Sequence, residues 1–494
     1  MGIIIKQSIQ NTIISYSGIV LGFISTILLF PNILSAGQYG LTRVLLSVAL
    51  IASQFSQLGM NNVVIRFFPY YQRTKKSRHR LLTLAFLVPL AGFLIFLILF
   101  YIFQEPLLNY YSGRSELITE YYIYLIPLVF AILFFEVLNS YVRALKDSVT
   151  GSLINEILVR ILVITLLVMH YFGWFSFSEF MLIFTLIYTI QPVCIVALLL
   201  YKRELFLTIP FREETRRLFK GMSVYGAYSL LGGLASLLIG NIDIIMISAM
   251  MELSNTAVYA IAFYIGSVIA VPQRSIGKIA TPILADLIKN KQFGQVERLY
   301  RRTALNQLIA GGLVFIGVWA NLHNISDLLP EEYAGIYGVV IVIGLAKLFN
   351  MATGVNGKII INSRYYRFDL YTNLMLVALT IITNLLLIPP YGIFGAAIAT
   401  AISVFIYNFV KFLFVWHKFD MQPFRMSAVW VILVAAATLL ISETMPYMGN
   451  FYADVIIRSG LIAVLYTGVI LLFNLSDDVR LLLLNILNRI KPNR

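Results

Sequence analysis

The sequence has few of the residues on which soluble or disulfide-bonded proteins depend. Only 12% of its 494 residues are charged, whereas an average soluble domain has about 25%. Its one cysteine, Cys194, excludes an internal disulfide framework and a thiolate metal site. The four histidines, His79, His170, His323 and His417, are scattered without metal-ligand spacing. A soluble fold and a metal centre are therefore both disfavoured.

Enzymatic motifs are also missing. The chain has no phosphate-binding P-loop and no G-x-S-x-G elbow. The loops that the charge pattern below predicts to face outwards are too short to hold a catalytic domain. We therefore predict that the protein is not an enzyme and has no catalytic residues, no metal and no cofactor.

Long apolar runs are what the sequence has in abundance. Hydrophobic residues make up 60% of the chain, in runs of about 20 residues, the length that crosses a hydrocarbon core roughly 30 Å thick. They predict an all-α, polytopic membrane protein with about fourteen transmembrane helices. The predicted spans are 9–30, 39–58, 81–103, 120–142, 150–170, 180–200, 221–242, 257–275, 303–321, 336–355, 369–388, 394–415, 426–442 and 456–474.

The charge distribution predicts the orientation of these spans. The net charge is +14, and basic residues are concentrated in alternate loops. The opposite loops contain acids such as Glu105 and Asp327 and few cations, among them Arg114 and Arg458. This positive-inside bias predicts that both termini are cytoplasmic. The basic charge then serves topology and lipid contact rather than nucleic-acid binding.

An internal repeat divides the predicted spans. Four residue pairs recur at offsets of 217–220 residues: Tyr39 with Tyr259, Asn139 with Asn356, Asn155 with Asn373, and Gly173 with Gly392. Each half contains six spans, so the repeat is parallel, and such duplication is typical of alternating-access carriers. The predicted domains are a six-helix lobe at 1–202, a cytoplasmic linker at 203–220, a second six-helix lobe at 221–418, two additional helices at 419–475, and an amphipathic cytoplasmic tail at 476–494.

Small residues form a stripe on the first helix of each half. Gly18 and Gly22 lie on one face of span one, and Gly226 and Gly233 lie on one face of span seven. Such stripes are either close helix contacts or the faces of a shared cavity. The sequence leaves both interpretations open.

Several cations and amides lie within predicted spans, where they are costly and usually face protein or a wet cavity. Arg43 shares a face of span two with Gln54, and Lys347 shares a face of span ten with Asn350. Neither cation has an acidic partner on its own helix, so each either lines a cavity for an anionic ligand or has a structural role. Arg274 ends span eight, where snorkelling to the interface is an alternative explanation.

A second set of charges combines acids with bases. Glu156 and Arg160 are four residues apart on span five and can neutralise each other along the helix. Glu136 and Arg143 share a face of span four. Glu136 either titrates in a coupled transport cycle or pairs with Arg160, and Arg143 can snorkel to the interface.

Short motifs along the whole chain resemble those of bacterial polysaccharide repeat-unit flippases. They are Gln38-Tyr39-Gly40, Leu58-Gly59, Arg66-Phe67-Phe68-Pro69, Asn241-Ile242-Asp243, Leu328-Leu329-Pro330-Glu331-Glu332-Tyr333-Ala334 and Pro390-Tyr391-Gly392-Ile393-Phe394-Gly395-Ala396-Ala397-Ile398-Ala399-Thr400. Each is weak alone, but their order is fairly specific.

The resemblance implies a member of the multidrug/oligosaccharidyl-lipid/polysaccharide exporter superfamily in a bacterial inner membrane. It implies two six-helix lobes that move an undecaprenyl-diphosphate-linked oligosaccharide, a surface polysaccharide or lipopolysaccharide repeat unit, to the periplasmic leaflet. Arg43, Lys347 and Arg274 are then expected to meet the diphosphate. The implied partners are that lipid-linked oligosaccharide, membrane lipids, and a glycan polymerase or glycosyltransferases.

Three alternatives stay open. Fourteen spans fit a lipid II flippase, although span two has only Arg43 where that branch is arginine-rich. A cation-coupled multidrug exporter would need acidic cavity groups, and span one has none. A membrane glycan polymerase or ligase would need large outer loops.

Overall fold

Every regular element in the described part of the chain is helical. The computed structural model describes residues 2–72, 74–111, 115–206, 208–209 and 213–481. The α-helices are Gly2–Phe23, Phe30–Ile33, Ala36–Ser56, Met60–Tyr71, Lys75–Ile102, Gln104–Tyr111, Glu116–Tyr121, Leu125–Ala144, Val149–Leu153, Val159–Tyr171, Phe177–Tyr201, Glu213–Met250, Leu253–Val268, Val271–Lys289, Phe293–Ala320, Leu322–Asp327, Ile336–Ala352, Asn356–Asn362, Tyr366–Phe419, Met426–Glu443 and Phe451–Leu472. Two π-helical segments, Ile24–Leu29 and Ile154–Leu158, and two 3-10 turns, Tyr122–Tyr124 and Glu331–Tyr333, interrupt them.

The helices confirm a multi-pass membrane protein. Within the described residues, 11 helices are long and apolar enough to cross a bilayer, and the number rises to 13 when each of two bent helix pairs is counted as one span. The bent pairs are Leu253–Val268 with Val271–Lys289 and Ile336–Ala352 with Asn356–Asn362, each bent by 50°. Pro272 follows the first break, where its missing N–H and its ring disfavour a continuous helix.

One helical stretch corresponds to two predicted spans. Tyr366–Phe419 contains 54 residues, about 80 Å of helix at 1.5 Å per residue, far more than one bilayer crossing. Gly392 interrupts it with φ 58° and ψ −139°, a conformation open to glycine and strained for other residues. Counting the two halves separately accounts for the fourteen predicted spans.

By its contacts the chain forms two compact units, Met1–Ala257 and Val258–Arg494. In the first unit, Glu213–Met250 packs on Ala36–Ser56, which also packs on Leu125–Ala144. Nothing in this division tests the predicted boundaries at 202 and 220, and the cytoplasmic placement of the termini also stays a prediction.

In the second unit, the two helices outside the repeat pack on a helix of the repeat. Ile462, Tyr466 and Ile470 of Phe451–Leu472 form one buried cluster with Ile316 of Phe293–Ala320 and Val431 of Met426–Glu443. A Cβ on Gly312 would approach the Tyr466 hydroxyl to 2.7 Å. Glycine at this position therefore permits the close contact between these helices.

The predicted tail is described only at its start. The Ser476 hydroxyl accepts a hydrogen bond from the backbone N–H of Val479 at 3.4 Å, as an N-cap does. The rest of the tail that was predicted to be amphipathic, including Arg489, Lys491 and Arg494, lies outside the described residues.

Candidate functional site

Arg43 lies two turns into the helix Ala36–Ser56, whose start is fixed by its own sequence. Ser35 and Gln38 form a capping box, in which each side chain bonds the other residue's backbone N–H. One turn later Tyr39 is fully buried and stacks on Phe30, with 4.8 Å between ring centroids. These contacts fix the backbone and the aromatic surface from which Arg43 extends.

The guanidinium of Arg43 is held by hydroxyls and aromatic rings. One terminal nitrogen, Nη2, donates to the Tyr39 hydroxyl at 2.6 Å and to Thr26 Oγ1 at 3.1 Å. The charged group lies 4.9 Å from the Tyr39 ring centroid and 5.6 Å from that of Phe30, within the range of a cation–π interaction. Its Nε is buried and has no hydrogen-bond partner in the described chain. Arg43 therefore retains hydrogen-bonding capacity and a charge that no described carboxylate neutralises.

Thr26 reaches Arg43 from a π-helical segment, Ile24–Leu29. Pro31 follows this segment and has no N–H to give the carbonyl four residues earlier, so the regular α-helical pattern is disfavoured there. Such π segments often occur at functional sites. The widened turn and the buried hydroxyl of Thr26 are features that residue spacing alone did not indicate.

Glu156 and Arg160 form the ion pair that their spacing predicts. Arg160 Nη2 lies 3.1 Å from Glu156 Oε2, and Arg160 Nη1 donates to the backbone carbonyl of Gly18 at 2.6 Å. A Cβ on Gly18 would lie 2.8 Å from Glu156 Oε2 and 3.1 Å from Glu156 Cβ. Gly18 therefore contacts span five closely, which is the packing interpretation of its stripe.

We expect Gly18→Val to lower stability by about 1–3 kcal/mol, because the added side chain would overlap Glu156 and disturb its pair with Arg160. The measurement is the midpoint of thermal unfolding of the purified protein in detergent. Gly232→Val is the matched control, since a Cβ there meets nothing within 4 Å. Equal midpoints for the two variants would contradict the close contact.

Arg43 and Arg160 belong to one region of the first unit. The helix Val159–Tyr171, which carries Arg160, packs on the segment Ile24–Leu29, whose Thr26 accepts a hydrogen bond from Arg43. Glu156 balances Arg160 but not Arg43, so the region has an excess of positive charge. It is a candidate binding region for an anionic group.

Glu136 and Arg143 form no ion pair with Glu156 or Arg160 among the described residues. Arg143 is exposed, and its Nη2 donates to the Ser140 hydroxyl at 2.9 Å. Glu136 is half-buried, and its backbone carbonyl accepts a hydrogen bond from the same Ser140 hydroxyl at 2.9 Å. The pairing of Glu136 with Arg160, one of two alternatives from the sequence, is not formed, because Arg160 bonds Glu156 instead.

The stripe on span seven contacts span two. A Cβ on Gly233 would overlap the side-chain amide of Gln54, and one on Gly226 would lie 3.1 Å from the Leu58 carbonyl. Gln54 is buried and hydrogen-bonded to Gln57. Gly22 on span one is also buried. In this structure Gln54, Gly226 and Gly233 thus form a helix contact, whereas the cavity role predicted for them stays a prediction.

In the second unit, Lys347 and Asn350 lie on one face of Ile336–Ala352. The Lys347 ammonium lies 5.0 Å from the Phe263 ring centroid. Asn350 Nδ2 donates to Gln273 Oε1 at 3.2 Å. Gln273 precedes Arg274, whose side chain is exposed in the first turn of Val271–Lys289. The predicted cation Lys347 and amide Asn350 are therefore brought near the start of the helix that carries Arg274.

Sequence reasoning missed a buried network around Lys411. Lys411 lies near the end of the predicted span 394–415 and is only 2% exposed within Tyr366–Phe419. Its ammonium lies 2.6 Å from Asp369 Oδ1 and also donates to the Tyr407 hydroxyl. The Tyr407 hydroxyl donates to Asn373 Oδ1 at 2.8 Å. The four-residue spacing of Tyr407 and Lys411 indicates that their side chains lie on one face of the helix. The acidic partner, Asp369, lies on the other side of the Gly392 turn, and no sequence pattern indicated that contact.

A second missed cluster surrounds Asp454. Asp454 and Arg458 are 0% and 4% exposed, and Arg458 Nε lies 3.0 Å from Asp454 Oδ2. The same carboxylate oxygen accepts from Asn324 Nδ2 at 2.6 Å and lies 3.1 Å from His323 Nε2. Arg458 had been placed among the outer-loop cations. It is instead buried and connects the last two spans to each other, because it also donates to the Ser442 carbonyl at 2.8 Å, while Asp454 contacts His323 and Asn324.

Known proteins with a similar fold are transporters and a flippase. A structure of the lipid II flippase MurJ in an inward closed conformation is 15% identical, covers 93% of this chain and 97% of its own, and has a TM-score of 0.72. An inward-facing multidrug resistance MATE family transporter of the MOP superfamily is 17% identical, covers 83% and 94%, and has a TM-score of 0.62. These likenesses confirm the predicted superfamily fold.

Sequence comparison gives the family. An uncharacterised membrane protein of Methanocaldococcus jannaschii is 21% identical over 477 residues, covering 90% of each chain. The profile of the family described as polysaccharide biosynthesis protein matches residues 4–288, more than half of the chain. The fold neighbours are transporters rather than enzymes, and the chain belongs to the polysaccharide biosynthesis protein family.

Proposed function

We propose that this protein is a flippase that moves an undecaprenyl-diphosphate-linked oligosaccharide, a surface polysaccharide or lipopolysaccharide repeat unit, from the cytoplasmic to the periplasmic leaflet of a bacterial inner membrane. The observation that carries the proposal is the environment of Arg43. Its guanidinium is held by Tyr39 and Thr26 and has no carboxylate partner in the described residues. A cation so placed within a span favours an anionic ligand such as a diphosphate.

The second unit supplies further cations for such a cargo. Lys347, on the face shared with Asn350, and the exposed Arg274 are each suited to contact a diphosphate at some stage of the cycle. In the proposed cycle, the two lobes predicted from the repeat alternate access between the leaflets. A glycan polymerase or glycosyltransferases of the same pathway are the proposed protein partners.

The comparisons support this class of cargo in different ways. The family description refers to polysaccharide biosynthesis. The MurJ structure is that of a lipid II flippase, and lipid II is the alternative cargo. Both cargoes have an anionic head on a long lipid, which fits an excess of cations among apolar helices. The single arginine on span two, Arg43, favours the repeat unit over lipid II.

Transport in proteoliposomes tests the proposal directly. The purified protein is reconstituted with an undecaprenyl-diphosphate oligosaccharide that carries a fluorophore on its glycan, and an impermeant reductant then quenches the fluorophores exposed outside. The assay is run without a gradient and with an imposed proton or sodium gradient. We expect the protein to increase the quenchable fraction of the fluorophore in at least one of these conditions. A lipid II analogue in parallel vesicles identifies the preferred cargo. No increase with either lipid under any gradient would contradict the flippase proposal.

A multidrug exporter of the same fold is the second candidate, favoured by the half-buried carboxylate of Glu136. We expect cells that produce the protein to export cationic dyes no faster than cells without it. A site that binds cations needs acidic side chains, whereas the candidate site residues Arg43 and Lys347 are themselves cations. The measurement is dye efflux from preloaded cells. Strong efflux that Glu136→Gln abolishes would favour the exporter instead.

A further inference from the structure

A cavity of about 430 Å³ lies in the second unit, at the helix ends that the charge pattern predicts to be periplasmic. It lies among the end of Phe293–Ala320, the start of Ile336–Ala352 and the turn between the last two spans. Its lining includes Trp319, Tyr337, Tyr447, His323 and Glu443. None of these residues belongs to the region proposed above for the cargo diphosphate.

The walls of the cavity are held by the buried ion pair described above. Arg458 Nη1 donates to the Ser442 carbonyl at 2.8 Å, and Nη2 donates to the carbonyls of Met445 and Pro446 at 3.2 and 3.3 Å. The Asp454 carboxylate accepts from the Met448 N–H at 3.3 Å. These hydrogen bonds to Asp454 and Arg458 therefore fix the backbone of the turn that carries Glu443 and Tyr447.

The charge that remains for a ligand is negative. All three guanidinium nitrogens of Arg458 donate to protein acceptors, and its charge is balanced by Asp454. Glu443 is exposed and forms no hydrogen bond or ion pair with the described residues. The cavity therefore offers one carboxylate without a partner and no free lining cation, which disfavours a phosphate or carboxylate ligand.

Aromatic rings line the same cavity as this carboxylate. The rings of His323 and Tyr447 meet edge to face, with centroids 5.6 Å apart, and Trp319 packs edge to face on Phe315 at 5.5 Å. Tyr447 and Tyr337 are 52% and 39% exposed, so their faces remain accessible to a ligand. Aromatic faces beside a carboxylate are the chemistry that recognises ammonium groups.

We propose that this cavity, lined by Trp319, Tyr337, Tyr447 and Glu443, binds an alkylammonium group. The ammonium contacts the aromatic faces and pairs with the Glu443 carboxylate. The group can belong to the headgroup of phosphatidylethanolamine in the surrounding membrane or to a soluble amine, because both present the same cation. This site does not depend on the cargo proposed above.

Trp319 provides a reporter inside the cavity. The other three tryptophans, Trp174, Trp416 and Trp430, are 67%, 49% and 51% exposed and are replaced by phenylalanine. The protein is placed in lipid nanodiscs of phosphatidylglycerol in amine-free phosphate buffer, and Trp319 emission is followed while ethylammonium chloride is added. Potassium chloride at equal concentration controls for ionic strength. We expect a saturable change with ethylammonium only.

Variants of the lining test the assignment. Glu443→Gln removes the charge, and we expect the apparent affinity for ethylammonium to fall roughly tenfold, the effect of losing about 1.4 kcal/mol. Tyr447→Leu removes an aromatic face, and we expect a weaker but measurable loss of affinity. Glu105→Gln, at an exposed acid of the first unit on the same predicted side, is the matched control and should leave the titration unchanged.

Nanodiscs of phosphatidylethanolamine distinguish the two sources of the amine. If the lipid headgroup fills the cavity, Trp319 emission differs between the two lipids in the parent protein but not in Glu443→Gln, and added ethylammonium has little effect. If emission is the same in both lipids and ethylammonium still titrates, the ligand is a soluble amine. Either result supports an ammonium site. The proposal is overturned if ethylammonium causes no response. It is also overturned if Glu443→Gln retains the full response, because a site for a neutral ligand such as a sugar would not depend on the carboxylate.

Discussion

Replacing Arg43 by alanine is expected to reduce export of the lipid-linked oligosaccharide tenfold or more. A charge-assisted hydrogen bond contributes about 1.5–3 kcal/mol, and each 1.4 kcal/mol corresponds to a tenfold change in binding. In this protein Arg43 is the partly buried cation of the first unit whose charge no described carboxylate balances. The measurement is surface glycan in cells that depend on this protein, together with the proteoliposome transport rate.

Three further variants separate binding from folding. Arg43→Lys keeps the charge but loses the planar fork, so an intermediate transport rate is expected. Tyr39→Phe removes one hydroxyl that holds Arg43 but keeps the stacked ring, so only a small effect is expected. Arg143→Ala removes an exposed arginine and serves as the control. If Arg43→Ala exports normally at an unchanged amount of protein in the membrane, Arg43 does not bind the cargo and its role is structural.

Asp454→Ala is expected to destabilise the second unit by about 3–5 kcal/mol, because it leaves the buried guanidinium of Arg458 without its carboxylate. It also removes the acceptor of the Asn324 amide and of the Met448 N–H. The last span then loses its buried bonds to His323 and Asn324 and, among the described residues, keeps only the hydrogen bond from Asn321 to Ser459 in this segment. The measurement is the midpoint of thermal unfolding in detergent, followed by loss of the monodisperse fraction in size-exclusion chromatography.

The matched control is a pair at the surface. Arg302 is ion-paired with Asp478, but its side chain is 65% exposed, and such pairs contribute about 0–1 kcal/mol. Arg302→Met should therefore shift the midpoint far less than Asp454→Ala. The double variant Asp454→Leu with Arg458→Met removes both buried charges and should be more stable than Asp454→Ala alone. A midpoint for Asp454→Ala equal to that for Arg302→Met would contradict the assigned role of the buried pair.

Much of the fold could be predicted because a bilayer imposes a length on every crossing helix. The apolar runs predicted the spans, and the turn containing Gly392 was predicted between two of them. The bend after Ala352 was not predicted in position. Apolar length alone does not show where a helix bends, since a bend depends on how neighbouring helices satisfy the backbone groups that it frees.

The candidate site was predicted less completely. Arg43, Lys347 and Asn350 stood out as polar residues within apolar runs, and the pairing of Glu156 with Arg160 followed from their four-residue spacing. Two partners of Arg43, Thr26 and Phe30, could not be predicted, because they lie outside its helix, in and beside a π-helical segment. Arg458 was assigned to an outer loop, although it is buried against Asp454. The pairing of the buried Lys411 with Asp369 was not predicted.

The sequence by itself determined that this chain crosses a membrane many times, and it predicted the orientation, because hydropathy and charge act on each segment separately. Only the tertiary structure decided which charges are neutralised and which are available. An ion pair between helices depends on contacts between residues far apart in the chain, and no local pattern encodes them. Lys411 is therefore balanced by Asp369 from the other side of the Gly392 turn, whereas Arg43 is left among rings and hydroxyls with its charge available to a ligand.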